Sequence, residues 1–387
     1  MPTRINDKLW NWASILEPNT RAQAELTSSM PFVVPHLALM PDAHLGKGST
    51  VGSVIPTVEA IMPAAVGVDI GCGMIAVRTQ FVHDDLAGRN LSVLRRGIER
   101  SIPLSVGAAN RTFTDTAAER IAQLEDRATR DYAEVAPRWR LQLGTLGSGN
   151  HFIEVSLDEL DRVWLFLHSG SRGIGNKLAQ QHIAVAQAKT AERGETPPDR
   201  DLASLVEGTA EFDAYLRDLQ WAQTFALLNR EEMMDRVIAE ISAFLGTEVV
   251  EHERINCHHN FTQLEEHFGQ RVWLSRKGAI EASAGKAGLI PGSMGTASYI
   301  VAGKGDALSM NSSPHGAGRN YSRSKARKTF THAQLREAMV GIEYRDTAAF
   351  LDEIPQAYKD IDQVMADAAD LVEIRHTLRQ IVNVKGD

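Results

Sequence analysis

The chain has 387 residues, 43% of them hydrophobic and 23% charged, with a formal net charge of −8. This is the composition of a soluble globular protein, long enough for one large domain or two to three ordinary ones. The acidic balance excludes recruitment of nucleic acid by bulk charge, so such binding needs a local patch, and two distant cysteines exclude a disulfide framework and fit a reducing cytoplasm.

The first ten residues hold no hydrophobic signal core. The longest apolar stretch, 63–77, is too short for a membrane span and contains Asp69. Residues 31–80 alternate short apolar runs with Gly and Pro, which predicts strands and tight loops. Segments 86–100 and 116–136 have charged, helix-forming composition. Residues 161–168 are nearly all apolar and predict a buried strand. A polar loop follows at 191–201. Phe212, Tyr215, Leu216, Leu219, Ala222 and Phe225 recur at helical spacing and predict one long amphipathic helix over 211–245, ended near Gly246. Residues 271–276 alternate as another strand, and 361–381 predict a last helix.

One internal echo stands out. Asn150-His-Phe152 precedes Arg162-Val-Trp-Leu165, and His259-Asn-Phe261 precedes Arg271-Val-Trp-Leu274; both Phe-to-Arg gaps are ten residues. The echo reads either as a duplicated strand unit presenting a histidine or as coincidence.

Residues 66–73, Val-Gly-Val-Asp-Ile-Gly-Cys-Gly, place Asp69 and Cys72 three positions apart in an otherwise apolar or glycine segment. A charge there is expensive to bury alone. Either a metal ion neutralises both groups, or Asp69 caps a tight turn between buried strands. His151, His168, His258, His259 and His315 sit beside Gly, Asn, Ser or Cys at predicted strand–loop junctions, where binding residues concentrate. With Asp69 and Cys72 they offer a mixed donor set suited to manganese, zinc or cobalt rather than magnesium or calcium. Such donors are spread over nearly two hundred residues, which favours one interwoven domain over 1–387. The glycine runs at 45–50 and 170–175 lack the spacings of a phosphate loop and a dinucleotide fingerprint. Residues 319–328 hold five cations and no acid, a local patch suited to phosphate or simply a solvated helix start.

Eight motifs in order now identify a resemblance: Met40-Pro-Asp-Ala-His-Leu-Gly-Lys-Gly-Ser-Thr50, Ala65-Val-Gly-Val-Asp-Ile-Gly-Cys-Gly73, Leu146-Gly-Ser-Gly-Asn-His-Phe-Ile-Glu154, Leu167-His-Ser-Gly-Ser-Arg-Gly173, His258-His-Asn260, Pro291-Gly-Ser-Met294, His315-Gly-Ala-Gly-Arg319 and Val384-Lys-Gly386. Over essentially its whole length the chain resembles the RtcB family of RNA ligases, in its bacterial branch. The resemblance implies an α+β fold, a single large mixed-sheet domain with surrounding helices. It implies joining of RNA 3′-phosphate or 2′,3′-cyclic phosphate ends to 5′-hydroxyl ends, with GTP and two manganese ions, by a cytoplasmic monomer that meets no membrane.

By the same resemblance, Asp69, Cys72, His151, His168 and His259 are metal ligands, with Cys72 shared between two ions. His315 is the nucleophile that takes GMP, and Asp42 orients it. Asn150, His151, Phe152, Ile153, Glu154, His259, Asn260, Pro291, Gly292, Ser293, Met294, Ser298, His315, Gly316, Ala317, Gly318 and Lys385 form the guanylate pocket, where Glu154 reads the guanine edge. Arg319 and Arg323 are expected to hold RNA phosphates, with Arg138 and Arg140 as weaker candidates. Ala43 and Pro314 depart from the commoner family residues without removing a catalytic atom. The rival functions are a cyclic phosphodiesterase that does not ligate, a non-catalytic RNA-binding factor and a nicotinamide-dependent dehydrogenase.

Overall fold

The computed structural model describes all 387 residues. β1 (Thr3–Asn6) and β2 (Leu9–Asn11) form a hairpin, followed by α1 (Pro18–Ser28), β3 (Leu37–His44), β4 (Val51–Thr57) and β5 (Ala60–Ile61). One helical turn, α2 (Pro63–Val66), leads to β6 (Gly73–Val82), then α3 (His83–Leu86), α4 (Leu91–Ser101), α5 (Asp115–Asp126) and α6 (Trp139–Gln142). β7 (Phe152–Leu157), β8 (Arg162–Ser169), α7 (Arg172–Glu192), β9 (Leu205–Val206) and α8 (Ala210–Leu245) come next. Then follow β10 (Glu251–His258), β11 (Asn260–His267), β12 (Gln270–Lys277), β13 (Ala279–Glu281), β14 (Ala287–Pro291), β15 (Ser298–Gly303) and β16 (Ser312–Pro314). The chain closes with α9 (Arg323–Thr329), α10 (His332–Ala338), α11 (Ile361–Asp367) and β17 (Val372–Val384).

The mixed-sheet α+β architecture is as expected: β5–β9 and β13–β16 pair as two small sheets, and most strands are divided between two large ones. One runs β1-β2-β3-β4-β12-β11 and contains the parallel pair β2–β3; the other runs β10-β6-β8-β7-β17-β15-β14. β17 holds the second sheet together, because its first half pairs with β15 and its second half with β7. Met40, Val54 and Leu274 from one sheet meet Met74, Trp164 and Phe166 from the other in a shared core. On the far face of the second sheet, Ile75, Val77, Leu165 and Leu167 pack under α4 and α8 through Leu94, Ile98, Met233 and Val237. β8 is therefore covered on both faces, which is why 163–167 is continuously apolar.

The long helix matches its prediction. Thr209 accepts from the Phe212 amide at the start, and Gly246, in the left-handed conformation at φ 72°, ends it. The predicted last helix is corrected. Only α11 is helical, and 372–384 is a strand in which Val372 and Leu378 are buried while Glu373, Arg375 and Arg379 face solvent. Its charged residues mimic a helix surface, but pairing on both sides decides the conformation. In 116–136 the helix stops at Asp126, and Asp131 turns the chain by accepting from the Ala133 amide. The internal echo marks two antiparallel hairpins, β7–β8 and β11–β12, in different sheets. Their registers differ by one residue, since Phe152 faces His168 but Phe261 faces Arg276. No helix is long and apolar enough to cross a membrane.

Candidate active site

The two sheets meet at one point in the chain. β10 of the second sheet ends at His258, β11 of the first begins at Asn260, and His259 alone lies between them. Its amide donates to the Cys72 carbonyl at 2.8 Å, which brings the 66–73 loop to the seam. The Gly71 amide likewise donates to Asn260 O at 2.7 Å. Arg230 of α8, fully buried, fixes the loops from behind by donating to Gly71 O at 2.9 Å and Ser169 O at 3.1 Å. A Cβ on Gly170 would lie 2.2 Å from the Asp69 carboxylate, so only glycine lets β8 end against that acid.

Four predicted ligands converge there. Cys72 Sγ lies 3.4 Å from His151 Nε2 and 3.2 Å from His168 Nε2, and His168 Nε2 lies 2.9 Å from His259 Nε2. The fifth, Asp69, reaches His151 Nε2 with Oδ2 at 3.1 Å. The opposite ring nitrogens are engaged elsewhere. His168 Nδ1 faces the Asn150 carbonyl at 3.2 Å, and His151 Nδ1 faces the Leu146 carbonyl at 3.0 Å. His259 Nδ1 faces Asn260 Oδ1 at 3.2 Å, and that amide is oriented because its oxygen also accepts from Gly278 N while its nitrogen donates to Asp69 O. These acceptors place the protons of His168 and His259 on Nδ1, so two Nε2 lone pairs face each other at hydrogen-bond distance with no proton between them. Such an arrangement is repulsive unless a cation lies among the donors. The donor set, three imidazoles, one thiol and one carboxylate, fits a borderline divalent metal.

Electrostatics agree. Burial, then neighbouring imidazoles, holds His168 and His259 well below the usual histidine range, so both are neutral ligands. Burial pushes Asp69 up, but His151 and Arg172 more than offset this and hold it at about 2. Burial and the Asp69 charge push the Cys72 thiol up; a bound cation reverses this by favouring the thiolate. His258 stays outside the cluster, facing Gly71 O and Arg230.

The His315 ring lies over His259 with centroids 4.4 Å apart. Its Nδ1 is 2.6 Å from Asp42 Oδ2, a contact off the ideal hydrogen-bond line, and its amide donates to the same oxygen at 3.3 Å. Asp42 is fully buried. This side of the ring belongs to the acid, which leaves Nε2 on the other side. Gly278, at φ 65°, makes the space; a Cβ there would come within 3.0 Å of His315 Cε1.

These groups border a cavity of about 350 Å³ that Asn150, Phe152, Glu154, Asn260, Pro291 to Met294, Gly316 to Gly318 and Lys385 also line. Cys72 and His151 lie just behind its wall. Three predicted pocket residues do not face it: His151, Ile153 and Ser298. Ile153 points into the core beneath α4 and α8, as strand alternation after Phe152 requires, and Ser298 lies beneath the floor beside the Glu154 carboxyl. Burial, only partly offset by Lys385, raises Glu154 to about 8.

Arg319 and Arg323 also line the cavity, but 319–328 is not a free electropositive patch. Glu353 accepts from Arg319 at 3.2 Å, Arg323 at 2.6 Å and Lys385 at 3.1 Å, and Asp352 accepts from Arg323 and Arg327. These acids arrive from thirty residues downstream, out of view of a local charge count. Arg140 is likewise paired with Glu125, while Arg138 is exposed. Sequence reasoning assigned no role to His44, Lys47, Lys277, Glu353, Tyr358 or Asn383, all of which line the cavity. Lys277 donates to the Ala64 carbonyl at 3.1 Å and to the Lys47 carbonyl, and burial lowers it to about 7. The 170–175 loop has a different use from nucleotide binding: Arg172 packs its guanidinium 3.1 Å from His151 Nδ1.

A family model described as tRNA-splicing ligase RtcB matches residues 23–386. The chain belongs to the RtcB family. It is 48% identical to the RNA-splicing ligase RtcB of Escherichia coli K12, over 98% of this chain and 97% of the relative. It is 30% identical to the tRNA-splicing ligase RtcB of Nanoarchaeum equitans over its full length and 95% of the relative. A second Escherichia coli protein, RNA-splicing ligase RtcB2, is 28% identical over 94% of this chain and 89% of its own length. Similarity to RtcB proteins therefore spans both sheets and the seam between them.

Proposed function

We propose that this chain is a GTP- and manganese-dependent RNA ligase that joins 3′-phosphate or 2′,3′-cyclic phosphate ends to 5′-hydroxyl ends, in tRNA splicing or RNA repair. The observation that carries the reading is His315, its Nδ1 against a buried carboxylate and its ring tilted against a metal-type histidine in a nucleotide-sized cavity. The names of the relatives support RNA ligation. Two manganese ions held by Asp69, Cys72, His151, His168 and His259, with Cys72 shared, would neutralise phosphate charge and lower the barrier to in-line displacement.

The chain's own residues account for the rest. GTP lies with its base toward Glu154 and Phe152 and its α-phosphorus at His315. The guanine edge presents two N–H donors, which a Glu154 carboxylate accepts. Nε2 of His315 attacks the α-phosphorus, a P–N bond forms, and pyrophosphate leaves. Asp42 keeps the Nδ1 proton in place and stabilises the positive charge that develops on the ring. An oxygen of the RNA 3′-phosphate then attacks the GMP phosphorus, the P–N bond breaks, and His315 returns to its neutral state. The 5′-hydroxyl of the second strand attacks the activated 3′-phosphate, and GMP leaves. A cyclic end is first opened by water. Small residues at 316–318 let the nucleotide approach the backbone.

The test uses radiolabelled α-GTP with manganese, followed by denaturation. Label is expected on the wild type in an acid-labile, base-stable linkage and is absent from His315→Ala. No label with any metal, together with opening of cyclic phosphates, leaves a phosphodiesterase instead.

A further inference from the structure

Five cationic side chains line the central cavity, and they divide by their ion pairs. Arg319, Arg323 and Lys385 all converge on Glu353. Lys47 and Lys277, from the β3–β4 loop and the end of β12, have no ion-pair partner, although the charge of Asp201 reaches Lys277. Lys47 is exposed, and it also lines a second cavity of about 500 Å³. That cavity runs over one face of α7, where Gln180, Ile183, Ala184 and Gln187 follow helical spacing, to Arg200. Arg200 is exposed, and its guanidinium meets only the neutral Gln187 Oε1, at 3.1 Å. Asp201, the one acid in the groove, is engaged by Gln187 Nε2 at 3.1 Å. In a chain of net charge −8, exposed Lys47 and Arg200 without an ion-pair partner, in a groove continuous with the reacting centre, are not accounted for by packing.

We propose that the Lys47–α7–Arg200 groove holds the sugar-phosphate backbone of one of the two RNA strands as it leaves the active site. Lys47 and Arg200 meet phosphates, Gln180 and Gln187 offer hydrogen bonds to sugar or phosphate oxygens, and Ile183 and Ala184 form the apolar floor under the bases. The groove shares only Lys47 with the central cavity, so a strand lying in it leaves the guanylate-pocket residues free. This assignment rests on the ligase reading above and adds to it the path of the substrate.

The test separates the two readings. Arg200→Glu and the pair Gln180→Glu/Gln187→Glu are compared with wild type for GTP self-labelling and for ligation at several salt concentrations. Self-labelling is expected to be unchanged, while the KM for RNA rises about tenfold and the slope of log KM against log salt falls by about one. 4-Thiouridine placed near the end of the 3′-phosphate strand or of the 5′-hydroxyl strand identifies which strand crosslinks to α7. Unchanged KM and salt slope in both variants, or no crosslink from either strand, overturns the groove. A raised KM for GTP in place of RNA also overturns it. If wild type never self-labels, the ligase reading fails, and retention of a 3′-phosphate RNA in a gel shift, weakened or not by Arg200→Glu, still decides the groove.

Discussion

Around Glu353 every buried charge has found a partner within the chain: Arg319, Arg323, Lys385 and the Tyr358 hydroxyl, 2.7 Å from Oε2, surround one carboxylate. Around Cys72, on another side of the same cavity, the donors face one another and lack a positive centre. The first cluster is complete as folded and rigidifies the wall. The second would be completed by an added cation. Burial alone thus does not mark a functional group; a surplus of one kind of hydrogen-bonding capacity does.

The sharpest break in this comparison is at His315, which belongs to neither cluster but works from the incomplete one. His315→Ala should lower ligation by on the order of 10⁴-fold or more while leaving the unfolding midpoint in urea nearly unchanged. An equal loss of stability would make it a structural histidine. Glu353→Gln attacks the complete cluster and should do the reverse. Leaving part-buried Arg319 and buried Lys385 short of a countercharge, while Arg323 keeps Asp352, should cost about 3–5 kcal/mol of unfolding free energy, measured by urea titration. A loss below about 1 kcal/mol would mean that water already reaches the cluster.

The incomplete cluster should gain where the complete one cannot. At a hundred times its dissociation constant, manganese should stabilise the wild type by about 2.7 kcal/mol, and Cys72→Ala should lose most of that gain. Equal thermal shifts in the two proteins would place the cation elsewhere. The smallest effect concerns Glu154, raised to about 8. A raised acid binds more protons folded than unfolded, so stability falls as pH climbs from the usual glutamate range to about 8. GTP recognition by the carboxylate requires that proton to leave. Affinity for GTP should therefore rise about tenfold per pH unit up to about 8 and then level, and Glu154→Gln should flatten the profile. A flat wild-type titration would remove Glu154 from guanine reading.

Asp69, Cys72 and the histidines were legible as candidates because unusual residues stood in short glycine-bounded motifs; the exact ligand set and the pairing of Asp42 with His315 came from the family resemblance. Cys72, His151, His168 and His259 do meet, and Asp42 does meet His315. The groups that escaped notice, such as Lys277 and Glu353, occupy ordinary-looking positions: the end of an alternating strand and the end of a short, mostly apolar 3-10 segment over 348–353. Their importance comes from partners far away in the chain, and a charge run such as 319–328 cannot reveal that its neutralising acids arrive from residues 352 and 353. The terminal strand was misread for a related reason, since the pairing of β17 with β15 and β7 is invisible in its own alternation of charge.

His259 is the single residue between β10 and β11, strands of the two large sheets, and it is also one of the proposed metal ligands. An ion seated there acts as a rivet through the hinge of two plates, one plate carrying His168 and the other starting at Asn260. The amides of Gly71 and His259, which tie the plates together, should therefore exchange their hydrogens with solvent more slowly when the rivet is in place, so that catalytic readiness and mechanical coherence rise and fall as a single quantity.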